Sequence, residues 1–66
     1  MPIITMEAGE MNKEQKKTLI KSFTKIASET LDIHTDAFVV ILKENASDNV
    51  GSGGKTLTEI FAERQG

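Results

Sequence analysis

The chain has no cysteine, a single histidine and a single proline in 66 residues. Without cysteine there is no disulfide framework and no thiolate metal site. One histidine, His34, argues against a histidine-based metal centre. No apolar run approaches the roughly 20 residues that a membrane span requires. The N-terminus also lacks the charged and apolar regions of a secretory signal. The formal net charge is −2, with 8 basic against 10 acidic side chains. That balance argues against a general nucleic-acid binder, which normally carries a basic patch. The expectation is a protein of the cytoplasm with neither nucleic acid nor membrane as partner. The Asn45-Ala46-Ser47 sequon then has no glycosylation role.

What remains is one small domain spanning residues 1–66. A chain of this size buries only about 60% of its unfolded surface and often needs a staple. With disulfides and metals set aside, self-association is the remaining staple, and 38% apolar content supplies interface material. A homo-oligomer is expected.

The pattern along the chain is strand, helix, strand. The run Ile3-Ile4-Thr5-Met6 predicts a strand over 2–7. Asn12 is a helix N-cap with Gln15 three residues on, a capping-box pair, and Glu14 suits the positive end of the helix dipole. A helix over 13–31 follows, with Leu19, Ile20, Phe23, Ile26, Ala27 and Leu31 at helical spacing. Lys17, Lys21 and Lys25 form a second, solvated face rather than an anion-binding stripe. The run from Phe38 to Leu42 is continuously apolar and β-branched, which suits a strand covered on both faces. This is a βαβ unit with a right-handed crossover. One helix covers one face of a two-stranded sheet, so a second subunit is expected on the other. The fold class expected is α+β: a β-α-β subunit with parallel strands and one covering helix, completed by oligomerisation. Asn45 to Gly54 is turn-forming, and Leu57, Ile60 and Phe61 predict a short helix over 56–64, or an arm for a neighbour.

Pro2 is the candidate for chemistry. Removal of Met1 leaves it with a free secondary amine, which acts as a base where an amide nitrogen cannot. Unperturbed α-amino groups titrate at about 7.7–8.0, and a secondary amine starts somewhat higher. Burial or nearby positive charge lowers that value toward working pH, where general-base catalysis is most efficient. Other motifs carry less. Gly54-Lys55-Thr56 would end a phosphate-binding loop only with glycine at position 49, which is Asn49. A hairpin-like turn is the expectation for Gly51 to Gly54. His34 has no serine or cysteine partner in evident reach and reads as an exposed linker residue. The carboxylates Glu7, Glu10, Glu29, Asp32, Asp36, Glu44 and Asp48 are scattered, and spacing suggests no acid/base pair.

Pro2-Ile3-Ile4-Thr5, Glu14-Gln15-Lys16-Lys17-Thr18-Leu19-Ile20, Val39-Val40-Ile41-Leu42-Lys43-Glu44 and Val50-Gly51-Ser52-Gly53-Gly54-Lys55 resemble, in order and spacing, the tautomerase superfamily and its 4-oxalocrotonate tautomerase group. The resemblance implies β-α-β subunits paired into four-stranded sheets and assembled as hexamers. It implies a keto-enol isomerase that needs no cofactor, in which the proline nitrogen, here Pro2, moves a proton between oxygen and carbon of a small enol acid.

The chain also departs from the family pattern. By register, two substrate-binding arginines fall on Met11 and Val39, and the aromatic pocket residue falls on Val50. Losing both arginines removes bidentate carboxylate recognition and two cations that would lower the Pro2 pKa. A dicarboxylate substrate is therefore not expected. Lys43 shares a strand face with Val39 and Ile41 and is the candidate replacement cation. The competing reading is a non-catalytic oligomer, structural or small-molecule-binding, that keeps the fold without the chemistry.

Overall fold

The structure, a computed structural model, describes residues 1–65. Strand β1 (Ile3–Ala8) leads into helix α1 (Lys13–Leu31), and a 3₁₀ turn (Thr35–Ala37) precedes strand β2 (Val39–Glu44). A second 3₁₀ turn (Ser47–Asn49) leads into the short strands β3 (Gly51–Ser52) and β4 (Lys55–Thr56), and then into helix α2 (Leu57–Gln65).

β1 and β2 pair in parallel, with Ile3 opposite Val39 and Ala8 opposite Glu44. The ladder is framed by Val39 N–H donating to the Pro2 carbonyl at 3.0 Å and Asn45 N–H donating to the Ala8 carbonyl at 2.8 Å. This moves both strands slightly from their sequence-based bounds. Proline lacks an N–H and contributes only its carbonyl, so β1 starts at Ile3 and runs on to Ala8 because β2 still offers a partner there. Phe38 closes the preceding turn through its N–H to the Thr35 carbonyl at 3.1 Å, so β2 starts one residue later.

Helix α1 occupies its predicted span. Asn12 accepts from Gln15 N–H at 2.8 Å, and Gln15 Oε1 accepts from Asn12 N–H at 3.0 Å, completing the capping box. The helix ends at Asp32, which adopts the left-handed conformation at φ 55° and directs its N–H to the Ser28 carbonyl. Glycine or asparagine usually fills that position. The second helix begins at Leu57 rather than Thr56 because Thr56 is its cap. Thr56 Oγ1 accepts from Glu59 N–H, and Glu59 Oε1 accepts from Thr56 N–H, each at 3.1 Å.

Strand alternation sorts the sheet into two faces. Ile4, Met6, Ala8, Val40 and Leu42 are half-buried on one face, and from α1 Leu19, Phe23 and Ala27 are half-buried too. The other face carries Ile3, Thr5, Glu7, Val39, Ile41 and Lys43, all exposed. On α1, Ile20, Ile26 and Leu31 stay exposed, so only part of the predicted apolar stripe is covered within the chain. No described residue is fully buried. The radius of gyration is 15.7 Å, against about 11 Å for a compact chain of this length. The extents of 47 × 23 × 16 Å reflect an elongated subunit. Among the described residues, no helix is long and apolar enough to cross a membrane.

Candidate functional site

Pro2 stands at the head of β1, half-buried, its carbonyl tied to Val39. Met1 in front of it is 84% exposed, which leaves the bond between them open to trimming. While Met1 is attached the Pro2 nitrogen is an amide. Its removal frees a secondary amine at the edge of the sheet.

Val39 lies next to Pro2, at the start of β2. Met11 and Val50 lie at the other end of the strands. β1 carries six residues, so the distance along it is about 20 Å at roughly 3.3 Å per residue. A single chain therefore brings Pro2 and Val39 together, and Met11 and Val50 to the opposite pole. Lys43 is exposed on the open face with Val39 and Ile41, as strand spacing predicted, and its register partner is Glu7.

The opposite pole is built by long-range contacts. Glu44, at the end of β2, accepts from the Met11 N–H at 2.9 Å with one carboxylate oxygen and pairs with the Lys16 ammonium through the other. The Lys16 hydrogen bond, then the Met11 N–H, holds the Glu44 carboxyl below its ordinary value. The link between β1 and α1 is thereby fastened to β2, and Met11 is placed half-buried beside the first turn of the helix.

A separate groove, lined by Val50 but not by Met11, runs between the strand ends and the C-terminal arm. Ala8, Val50, Leu57 and Phe61 supply apolar walls; Asn45, Ser47 and Asn49 supply neutral polar groups; Glu7 supplies one carboxylate. The arm is fixed by short-range geometry. Gly53 and Gly54 have φ of +63° and +86°. A two-residue hairpin loop with φ > 0 at both positions favours glycine. The glycine cluster is thus a hairpin turn, as expected, and not a phosphate cradle. Leu57 N–H donates to the Val50 carbonyl at 2.8 Å and closes the hairpin onto α2. Thr58 Oγ1 donates to Asp48 Oδ1 and ties α2 back to the 3₁₀ turn.

His34 takes no part in either pole. Its Nδ1 accepts from the Asp36 N–H at 3.1 Å, capping the turn before β2, and the side chain is exposed. Among the described residues no group of three His, Cys, Asp or Glu side chains is placed to hold a metal. The sequence marked Glu44 only as one of several scattered carboxylates and Asn45, Ser47 and Asn49 only as turn formers. Glu44 meets Met11 across 33 residues of chain, which no local pattern announces.

Comparison with known proteins agrees with this architecture. The family model described as "Tautomerase enzyme" matches residues 2–60. A probable tautomerase of Dickeya dadantii (strain 3937) is 36% identical over an alignment of 61 positions that covers 89% of this chain and 91% of that protein. Among solved structures, TomN, a 4-oxalocrotonate tautomerase homologue in the tomaymycin biosynthetic pathway, superposes with a TM-score of 0.88 at 27% identity, covering 92% of this chain and 95% of that one. DmpI from Helicobacter pylori superposes with a TM-score of 0.77 at 29% identity, covering 88% of this chain and 98% of that one. With its β-α-β frame, its parallel register and a family match over nearly its whole length, the chain belongs to the tautomerase family.

Proposed function

We propose that this protein is a cofactor-independent tautomerase of the cytoplasm that interconverts enol and keto forms of a small 2-keto acid or related compound. Pro2, freed by removal of Met1, is the general base. Its nitrogen takes the enol hydroxyl proton and returns a proton to carbon, so the amine ends as it began and no electrons leave the system. The observation that carries this reading is the place of the chain's only proline, at the head of β1 in a tautomerase-family frame.

The separation of the two poles supports a homo-oligomer in which one copy's Pro2 meets another copy's groove. The open sheet face, with Ile3 at 57% and Ile41 at 42% exposure, supplies apolar surface for pairing sheets. A hexamer of paired subunits, the arrangement implied by family resemblance, satisfies both. Met11 and Val50 would then bound the site at the groove pole, and Val39 would lie beside Pro2. Lys43 would stand on the sheet face as the nearest cation of its strand.

Mass spectrometry of protein from its natural host should show Met1 absent, and Pro2→Ala should abolish ketonisation of phenylenolpyruvate. Full activity in that variant refutes the assignment. The second reading, a non-catalytic small-molecule-binding oligomer, is favoured by one observation: Met11, Val39 and Val50 are all apolar where the family pattern places two arginines and an aromatic ring. Retention of Met1 in the host would select it.

A further inference from the structure

We propose that the groove at the strand ends selects ligands with no more than one negative charge, its neutral Asn45, Ser47 and Asn49 side chains supplying the polar contacts. This rests on the tautomerase reading only for the groove's use in catalysis; the ligand preference itself follows from the lining.

The groove's walls carry one formal charge, the Glu7 carboxylate, and no cation among the described lining residues. Glu7 is partly engaged, accepting from Asn45 Nδ2 at 3.3 Å. That contact fixes which way the Asn45 carboxamide points and leaves its second N–H for a ligand. The Ser47 hydroxyl and the Asn49 carboxamide make no hydrogen bond to other described residues. Both sit on a short turn held from two sides. The Asn49 N–H donates to the Ala46 carbonyl at 2.9 Å, and Asp48 accepts from Thr58. The donors are thus carried on restrained backbone, the condition under which they bind without much ordering cost.

Neutral donors of this kind suit a carbonyl or enol oxygen. The neutral donors can satisfy one carboxylate at the groove's open side, but a second one leaving water needs a charged partner to recover its hydration, and Glu7 opposes it. Glu10 and Asp48, which line the adjoining surface with Asn45 and Ser47, add negative charge of the same sign. Lys55 is held by Glu63 at 2.6 Å, and Lys16 by Glu44. Lys43 is the ladder partner of Glu7 on the open sheet face but does not itself line the groove. Apolar walls from Val50, Leu57 and Phe61 suit an aryl or alkyl body. The class assigned is therefore a neutral or singly ionised enol-keto compound with an apolar body, not a dicarboxylate.

The test uses three binding probes on intact, isotope-labelled protein: acetophenone (neutral), phenylacetate (one charge) and cis,cis-muconate (two charges). Acetophenone and phenylacetate should shift the Asn45 and Asn49 side-chain amide signals and the Val50 methyls. Muconate should bind at least tenfold more weakly than phenylacetate at low salt. Asn45→Asp should weaken phenylacetate binding more than acetophenone binding. Muconate binding as tight as phenylacetate overturns the proposal, as does the absence of shifts at these residues with all three probes. Because the readout is binding, a Pro2→Ala variant that keeps its ketonising activity would sink the catalytic reading while leaving these outcomes to decide the groove.

Discussion

Replacing Ile41 by lysine tests whether the open sheet face is a subunit interface. Ile41 is 42% exposed in the single chain, two residues from Val39 at 36%, whose ladder partner Ile3 is 57% exposed. Full burial of such a side chain is worth roughly 1.5–3 kcal/mol, so covering what remains exposed on Ile41 gains about 1 kcal/mol per copy. In a two-fold pairing both copies contribute, giving about 2 kcal/mol, or about a thirtyfold change in dissociation constant. The lysine ammonium adds a desolvation cost on closure of the interface. Sedimentation velocity over a dilution series should show Ile41→Lys dissociating at concentrations where the parent protein remains assembled. Far-UV circular dichroism reports whether the subunit stays folded. Lys17→Glu, on the solvated face of α1, serves as the control and should leave the sedimenting mass unchanged. An Ile41→Lys protein with the parent's mass and dilution midpoint would refute the interface. So would a parent protein that sediments as a monomer throughout.

Two further outcomes concern the frame that holds the site. Asn12→Ala removes the acceptor for the Gln15 N–H and should cost about 1 kcal/mol of stability, read as a fall in melting temperature. Glu44→Gln tests the clamp on Met11. Because Glu44 is held below its ordinary value in the folded chain, it stabilises the fold above the unfolded carboxylate range, and that contribution is lost as pH falls through it. The parent protein should therefore lose stability on acidification more steeply than Glu44→Gln, while the variant should be the less stable of the two at neutral pH. Parallel pH profiles in urea denaturation would show that the clamp contributes nothing.

The parts of this fold that were legible in the sequence are those set by neighbours along the chain. Asn12 and Gln15 announce the start of α1 because a capping box needs only three residues of separation. Gly53 and Gly54 announce a hairpin because two positive φ values in succession favour glycine. Lys43, Ile41 and Val39 could be assigned to one face from the two-residue period alone. The end of α1 at Leu31 was expected, but the left-handed backbone of Asp32 that makes it was not legible, since an aspartate there breaks the usual preference. The stripe through Ile20, Ile26 and Leu31 was correct as periodicity and silent about coverage, because no other described part of the chain packs over these side chains. Glu44 illustrates the remaining limit. Its partners Met11 and Lys16 become neighbours only once β2 has paired with β1.

Pro2 as a general base is the step on which the proposed activity depends. The direct measurement is an NMR titration of the Pro2 nitrogen in protein lacking Met1, in its assembled state. The expected protonation midpoint lies well below that of a free secondary amine, shifted toward neutral pH by shelter at a subunit junction. A midpoint in the ordinary range of a solvent-exposed prolyl amine would contradict it.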